Sequence, residues 1–300
     1  MLRHAYRAIT LILGNLIVIL LIIAALLFGA YYLFKLPPSN NSKIFSNLVL
    51  CHRGSFFNAP EDTLASFRQA HLEGCTNIEM DVRATKDKVL VILHDETLDR
   101  TTDAHGSLKN YTYADLQKVH IVFKGKVIDE KIPTLEQALQ LVKQLNVKAE
   151  LSIWLENDLD YYAKQISAYY KKMNLYNSVF SASFYPPILY HLRTVDPNII
   201  TSLEVFKLAM PEHPIISRLL YWSELSWLPY FLGVGIIEPN FHYVSLDMVN
   251  YWKKQGIYIN AFTLNSIEDK AWLMHHGITF QTDCFIGSCP EHNYHPWDGQ

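Results

Sequence analysis

The sequence predicts an α/β chain: a closed (β/α)₈ barrel of the TIM type, preceded by one transmembrane helix. Three observations carry this expectation. Nine short β-rich runs alternate with helix-like stretches over most of the 300 residues, the pattern of an α/β domain with parallel strands. Between the second and third runs there is room only for a turn around Thr85-Lys86-Asp87-Lys88, whereas a parallel crossover needs roughly a dozen residues or more. Those two runs form a hairpin, and removing its return arm leaves eight strand units, the number in a TIM barrel. Finally, no Asp, Glu, Lys or Arg occurs between Arg7 and Lys35.

The uncharged stretch 8–34 is rich in Leu, Ile and Ala. At about 1.5 Å rise per residue it exceeds the roughly 30 Å hydrocarbon core of a bilayer. Arg3 and Arg7 precede it, Lys35 and Lys43 follow it, and Tyr31 and Tyr32 mark the far interface. This arrangement places residues 1–7 in the cytosol. The stretch is longer than the apolar part of a cleaved signal peptide, so it reads as a retained signal anchor. The chain is then a single-pass protein of the secretory route, in the endoplasmic reticulum or plasma membrane, with the remainder lumenal or extracellular. In that setting the sequons at Asn40 and Asn110 are expected to be glycosylated.

Pro37-Pro38-Ser39-Asn40-Asn41-Ser42 reads as a linker, because paired prolines and small polar residues cannot continue the helix. The expected organisation is a linker at 35–45, a barrel at 46–290 and a tail at 291–300. The strand candidates are 48–51, 77–82, 89–93, 148–153, 179–183, 199–205, 233–237, 257–264 and 279–283. A second apolar stretch, 225–237, contains Pro229, Gly233 and Gly235 and is too short for a comfortable span. It reads as a barrel segment; attachment of its aromatic surroundings (Tyr221, Trp222, Trp227, Tyr230, Phe231) to a membrane is the competing reading.

Composition narrows the function classes. Half the residues are apolar and 18% are charged, which argues against a disordered chain. A net charge of −3 with no long basic run argues against nucleic acid as a partner. The four cysteines form no CxxC pair, which excludes a zinc ribbon. A lumenal setting permits a Cys284–Cys289 bridge.

In a TIM barrel, functional residues sit at the C-terminal strand ends, and polar residues crowd those positions here. The first strand ends in Cys51-His52-Arg53-Gly54, the second contains Glu79-Met80-Asp81, the hairpin arm ends in His94-Asp95, and the fourth run contains Glu150. Glu79 and Asp81 leave the same strand face. Two close carboxylates on an apolar strand repel, and a hard cation offsets that cost. His52 and His94 suit a general acid and base pair, and Arg53 suits a phosphate oxygen. Together these point to cation-assisted phosphodiester cleavage.

The run His52-Arg53-Gly54 through Pro60-Glu61-Asp62-Thr63, then Glu79-x-Asp81, His94-Asp95 and Arg100-Thr101-Thr102, resembles the signature of the glycerophosphodiester phosphodiesterase family. Weaker echoes follow in Ile132-Pro133-Thr134-Leu135, Ser183-Phe184, Thr263-Leu264-Asn265 and Thr282-Asp283. The anchor and the segment from Tyr176 to Ile257 are most similar to the membrane-anchored animal enzymes that act on glycerophosphoinositol and related diesters. The resemblance implies a barrel of the phospholipase-C-like kind and one divalent cation, Mg²⁺ or Ca²⁺, held by Glu79, Asp81 and an acid of the fourth strand, Glu150. It implies His52 and His94 as acid and base, with Arg53, Phe262 and Asn265 lining the substrate site. The implied reaction releases sn-glycerol 3-phosphate and an alcohol.

Departures from the family pattern define the alternatives. The family's fourth strand carries an acid followed two positions later by Lys. Here Glu150 is followed by Ser152, or, counting from Pro133, Ser152 stands at the acid and Trp154 at the Lys; both readings lose the lysine. The usual Trp before Thr263 is Phe262, and Cys284-Phe285 replaces a common Tyr-Pro. Two other functions therefore stay open: a lysophospholipase D acting on lysophospholipids, and a non-catalytic membrane-bound binding partner.

Overall fold

The structure is a computed structural model and describes residues 2–155, 157–205 and 225–285. The expectations placed on Tyr221, Trp222, Cys289 and the 291–300 tail lie outside the described residues.

Eight parallel strands close into a barrel: β1 (Val49–Cys51), β2 (Asn77–Ala84), β6 (Lys148–Ile153), β7 (Val179–Ser183), β8 (Thr201–Val205), β9 (Ile236–Pro239), β10 (Tyr258–Ala261) and β11 (Thr279–Thr282). Closure is complete because β1 pairs with both β11 and β2. The return arm β3 (Leu90–Ile92) lies antiparallel on β2, as the short turn requires. Each of the nine expected runs overlaps one of these strands, but β2 continues past its run to Ala84 and β9 is shifted from 233–237 to Ile236–Pro239. A further hairpin, β4 (Ile121–Phe123) and β5 (Lys126–Ile128), was not expected from the sequence. Its two central residues, Lys124 and Gly125, both take positive φ, the signature of a tight type I′ turn.

Helices cover the outside of the barrel. Helix α4 (Leu135–Leu145), fourth after α1 (Leu2–Phe34), α2 (Leu64–Leu72) and α3 (Tyr113–Leu116), shows why they form. Thr134 and Gln137 cap it reciprocally. Leu135, Ala138, Leu139 and Val142 recur at helical spacing and are buried together with strand residues such as Met80 and Leu151.

The barrel interior has an apolar floor and a polar upper half. Phe45, from the 3₁₀ turn Ser42–Phe45, packs with Leu50, Phe180, Ala182, Ile200 and Ile236, and its ring centroid is 5.0 Å from that of Phe180. The β2–β6 register sets Glu79 level with Glu150 and Asp81 level with Ser152.

Within α1, the stretch Asn15–Phe34 has mean hydropathy 2.8, none of it buried, and is long and apolar enough to cross a membrane. The segment after it is held down on the barrel. Leu36 N–H donates to Phe231 O and Ser39 N–H to Gly233 O, each at 2.9 Å. Gly233, at φ 62°, lies directly under the Pro37 carbonyl, so a Cβ there would collide with backbone. Tyr31 in the last turn of α1 packs on Phe231 and Trp227 with centroids 5.7 and 6.4 Å apart. The 225–237 stretch supplies the helix Leu228–Leu232 and the start of β9, as its reading as a barrel segment expects.

Cys51 and Cys75 form a disulfide between the end of β1 and the loop after α2. Cys284 is also disulfide-bonded; the other half of the expected Cys284–Cys289 pair lies outside the described residues.

Candidate active site

The barrel mouth is built on a tight turn at the end of β1. Arg53 and Gly54 both take positive φ, 54° and 85°, which folds the chain back so that Arg53 N–H donates to Glu79 Oε2 at 3.0 Å. A Cβ at Gly54 would sit against Ser66 and the edge of Phe67, so only glycine fits this approach. The turn delivers His52 and Arg53 onto the carboxylates of β2.

Both histidines have one ring nitrogen tied to a carboxylate. His52 Nδ1 is 2.6 Å from Asp283 Oδ1, and Asn265 Nδ2 donates to the other Asp283 oxygen at 2.7 Å. His94 Nδ1 is 2.7 Å from Asp95 Oδ1. In each case Nε2 is left to act; that of His52 is 4.0 Å from Glu79 Oε2. Burial first, then the charge of Arg53, push the His94 imidazole below its ordinary value. Burial resists ionisation of Asp283, but the hydrogen bond and charge of His52 hold its carboxyl below the usual range.

Arg53 is only 2% exposed. Its Nη1 donates to Glu61 at 2.9 Å and its Nε lies 3.2 Å from Asp81 Oδ2. Arg100 donates to both oxygens of Glu61 at 2.7 Å and to both of Asp95 at 2.6 and 2.9 Å. A continuous relay of charge therefore runs Arg53–Glu61–Arg100–Asp95–His94. Burial opposes the charge on Arg53, and the surrounding carboxylates, Glu61 first, keep it firmly protonated.

Glu79 and Asp81 lie together as expected, both buried. Burial, then the like charge of Asp81, pushes Glu79 well above the usual carboxylate range. Asp81 goes the other way: burial works against it, but His94, Arg53 and His52 hold it down. Opposite shifts in adjacent acids are the mark of two charges that cannot share a dry site unaided. Asp62, whose Oδ1 accepts from Asp81 N–H at 3.3 Å, adds a third acid, pushed up by burial and then by Asp81.

Glu150 is wholly buried, and both its oxygens accept hydrogen bonds, from Gln281 Nε2 at 2.8 Å and Asn260 Nδ2 at 2.9 Å. It groups with Glu204 and Glu238, each contributing an oxygen within 4.8 Å of the others. The place level with Asp81 belongs to Ser152, which donates to Glu204 Oε1 at 2.9 Å. Trp154 reaches the mouth instead of a lysine; its Nε1 donates to Asp81 Oδ1 at 2.7 Å, and Arg83 covers its ring at 5.2 Å. Trp154, Phe184 and Phe262 form a continuous aromatic wall, with successive centroids 5.4 and 5.8 Å apart.

Sequence reasoning assigned no role to Glu61, Asp62, Arg100 or Asp283, although each lies inside a quoted motif. Glu204, Glu238, Asn260 and Gln281 were missed entirely. Their signal was present only as acid and amide side chains inside strand runs, with no motif around them.

The arrangement has counterparts. Residues 52–280 match the model of the glycerophosphoryl diester phosphodiesterase family. Over 270 residues the chain is 30% identical to glycerophosphodiester phosphodiesterase 1 of Mus musculus and of Homo sapiens, covering 81% of this chain and 80% of each relative. It is 30% identical over 238 residues to a glycerophosphodiester phosphodiesterase of Caldanaerobacter subterraneus, covering 77% and 91%. Among solved structures, an Oleispira antarctica phosphodiesterase in complex with the product sn-glycerol-3-phosphate superposes with a TM-score of 0.66 at 25% identity, covering 81% of this chain and 95% of that one. With most of its length matched by the family model, and a barrel mouth that brings the family's motifs together, the chain belongs to the glycerophosphoryl diester phosphodiesterase family.

Proposed function

We propose that this chain is a membrane-anchored phosphodiesterase that hydrolyses glycerophosphodiesters, glycerophosphoinositol among them, to sn-glycerol 3-phosphate and a free alcohol. The observation that carries this reading is the pair of carboxylate-anchored histidines, His52 on Asp283 and His94 on Asp95, around the Glu79–Asp81–Arg53 cluster. Two imidazoles fixed in orientation, with Nε2 unspent, are suited to accept one proton and deliver another.

Glu79 and Asp81 are the residues proposed to hold one divalent cation, Mg²⁺ or Ca²⁺. They fit it: both are hard oxygen donors, and the buried Asp81 Oδ2 has no hydrogen-bond donor of good geometry. When bound, the cation supplies charge stabilisation at the phosphoryl oxygens. Arg53, kept protonated by Glu61, adds positive charge beneath them. One histidine deprotonates the nucleophile, water or the neighbouring glycerol hydroxyl, and the other protonates the departing alkoxide; in the second case water then opens the resulting cyclic phosphate to sn-glycerol 3-phosphate. Asn265 orients Asp283, and Phe262 forms part of the pocket wall. Glu150 groups with Glu204 and Glu238.

The cysteine pairing supports a lumenal or extracellular barrel, because a Cys51–Cys75 disulfide persists in an oxidising compartment. Asn40 and Asn110 are exposed, as glycan acceptors must be. The aromatic wall favours a second reading of the substrate, a lysophospholipid whose acyl chain lies along Trp154, Phe184 and Phe262. Assay of the purified full chain on glycerophosphoinositol, glycerophosphocholine and lysophospholipids, with Mg²⁺ and with Ca²⁺, tests both readings. Turnover of the short diesters supports the first and of lysophospholipids alone the second. Binding without turnover of any of them marks a non-catalytic member.

A further inference from the structure

The structure assigns Glu150, Glu204 and Glu238 to a divalent-cation site of their own, inside the barrel. Nothing in the proposed phosphodiesterase reaction requires this site. The three side chains come from β6, β8 and β9 and converge where a TIM barrel ordinarily packs branched apolar residues. All three are buried, and each offers an oxygen within 4.8 Å of the other two. Among the described residues, no Lys, Arg or His forms an ion pair with any of them; the nearby cations are directed to Glu61, Asp81 and Glu79.

Other groups frame the site as a ligand cage would. Asn260 Nδ2 donates to both Glu150 and Glu238, at 2.9 and 2.8 Å, and Gln281 Nε2 donates to the same pair, at 2.8 and 3.1 Å. Two amides thereby fix two carboxylates, as outer partners orient metal ligands. Ser152 fixes Glu204 through Oε1. Glu204 Oε2 is buried with no hydrogen-bond partner of good geometry, and the Glu238 carboxyl lies directly against that of Glu150.

A separate observation points to a missing ligand. Ser202 is wholly buried on β8, on the same strand face as Glu204, and its Oγ has no hydrogen-bond partner of good geometry although it lies against the Glu238 carboxyl. The Asn260 Oδ1, on the amide that bridges two of the acids, is likewise buried and unpartnered. Orphaned neutral oxygens beside orphaned carboxylate oxygens are costly unless something accepts them all. A hard cation does so. A dry cage of carboxylate and hydroxyl oxygens suits Ca²⁺ or Mn²⁺ better than Mg²⁺, which gives up its waters reluctantly. Glu150 and Ser152 thus have a common explanation: the charge absent beside Asp81 reappears on β8 and β9, as Glu204 and Glu238.

The test is a count of bound Mn²⁺, by electron paramagnetic resonance and elemental analysis, on the full chain in detergent after chelation and reloading. We expect Glu79→Gln with Asp81→Asn to keep one ion per chain, and Glu204→Gln with Glu238→Gln to lose that ion. Glu204→Asp, which keeps the charge and the fold, should retain the ion with at least tenfold weaker affinity. An unchanged count and affinity in the Glu204 and Glu238 variants, or no ion at all in the Glu79 and Asp81 variant, overturns the interior site. Failure of the mouth site shows differently, as a Glu79 and Asp81 variant that binds as many ions as the parent.

Discussion

His52 and Asp283, 231 positions apart in the chain, meet at 2.6 Å across the seam where β11 closes on β1. The end of the last strand therefore orients the imidazole proposed as one of the two proton-transfer groups. Asp283→Asn is expected to lower kcat by about 10- to 100-fold, as losing an orienting partner does. The loss should be smaller than in His52→Ala, with KM little changed. Steady-state kinetics check this; a kcat equal to the parent's would remove Asp283 from the mechanism.

His52→Ala and His94→Ala should each cost roughly 10² to 10⁴ in kcat. Their combination should cost far less than the product, because the two act as a unit. A substrate with a nitrophenolate leaving group should rescue only the variant that has lost the general acid. Rescue of both variants, or of neither, would contradict the division of labour.

The pH profile follows from the shift at His94. Burial and Arg53 lower its proton affinity relative to the ordinary histidine value of about 6.5. The neutral form is therefore retained as pH falls below that value, and the limb belonging to His94 should lie on its acid side. Arg100→Met removes a positive charge that competes for Asp95, which raises the His94 proton affinity, so that limb should move back toward the ordinary value. A profile of kcat/KM against pH measures both positions, and a limb on the alkaline side of the ordinary value would contradict the assignment.

How much of this was legible beforehand depended on whether a feature is local. The strand runs, the β2–β3 hairpin and the pairing of Glu79 with Asp81 follow from periodicity and turn length. The β4–β5 hairpin was missed because Ile121 to Ile128 is short and sits within a connection that the eye fills with helix. The Cys51–Cys75 pairing and the Glu61–Arg100 bridge join positions whose proximity only the closed fold decides. The interior acids were invisible for the same reason: Glu204, Glu238 and Asn260 lie on three separate strands, and only barrel register brings them together.

Removing the Cys51–Cys75 bridge by Cys75→Ser should destabilise the barrel by about 2–4 kcal/mol, the usual range for such a loop. Denaturant unfolding with and without reductant measures it. Reduction, which also opens the Cys284 disulfide, should destabilise the parent at least as much as Cys75→Ser does, and a variant as stable as the oxidised parent would show that the Cys51–Cys75 bridge is dispensable.

The topology is testable in sealed microsomes. Glycosidase should increase the mobility of the chain, and Asn40→Gln with Asn110→Gln should abolish that change. A barrel fully sensitive to added protease, with no glycan, would place it on the cytosolic side.

The most direct measurement is enzymatic release of sn-glycerol 3-phosphate from glycerophosphoinositol by the full chain, followed with a coupled dehydrogenase. The account predicts release that stops in excess chelator, returns with Mg²⁺ or Ca²⁺, and is absent in Glu79→Ala with Asp81→Ala. Undiminished release in chelator or in that double variant would contradict it, as would a folded, cation-loaded chain that releases none.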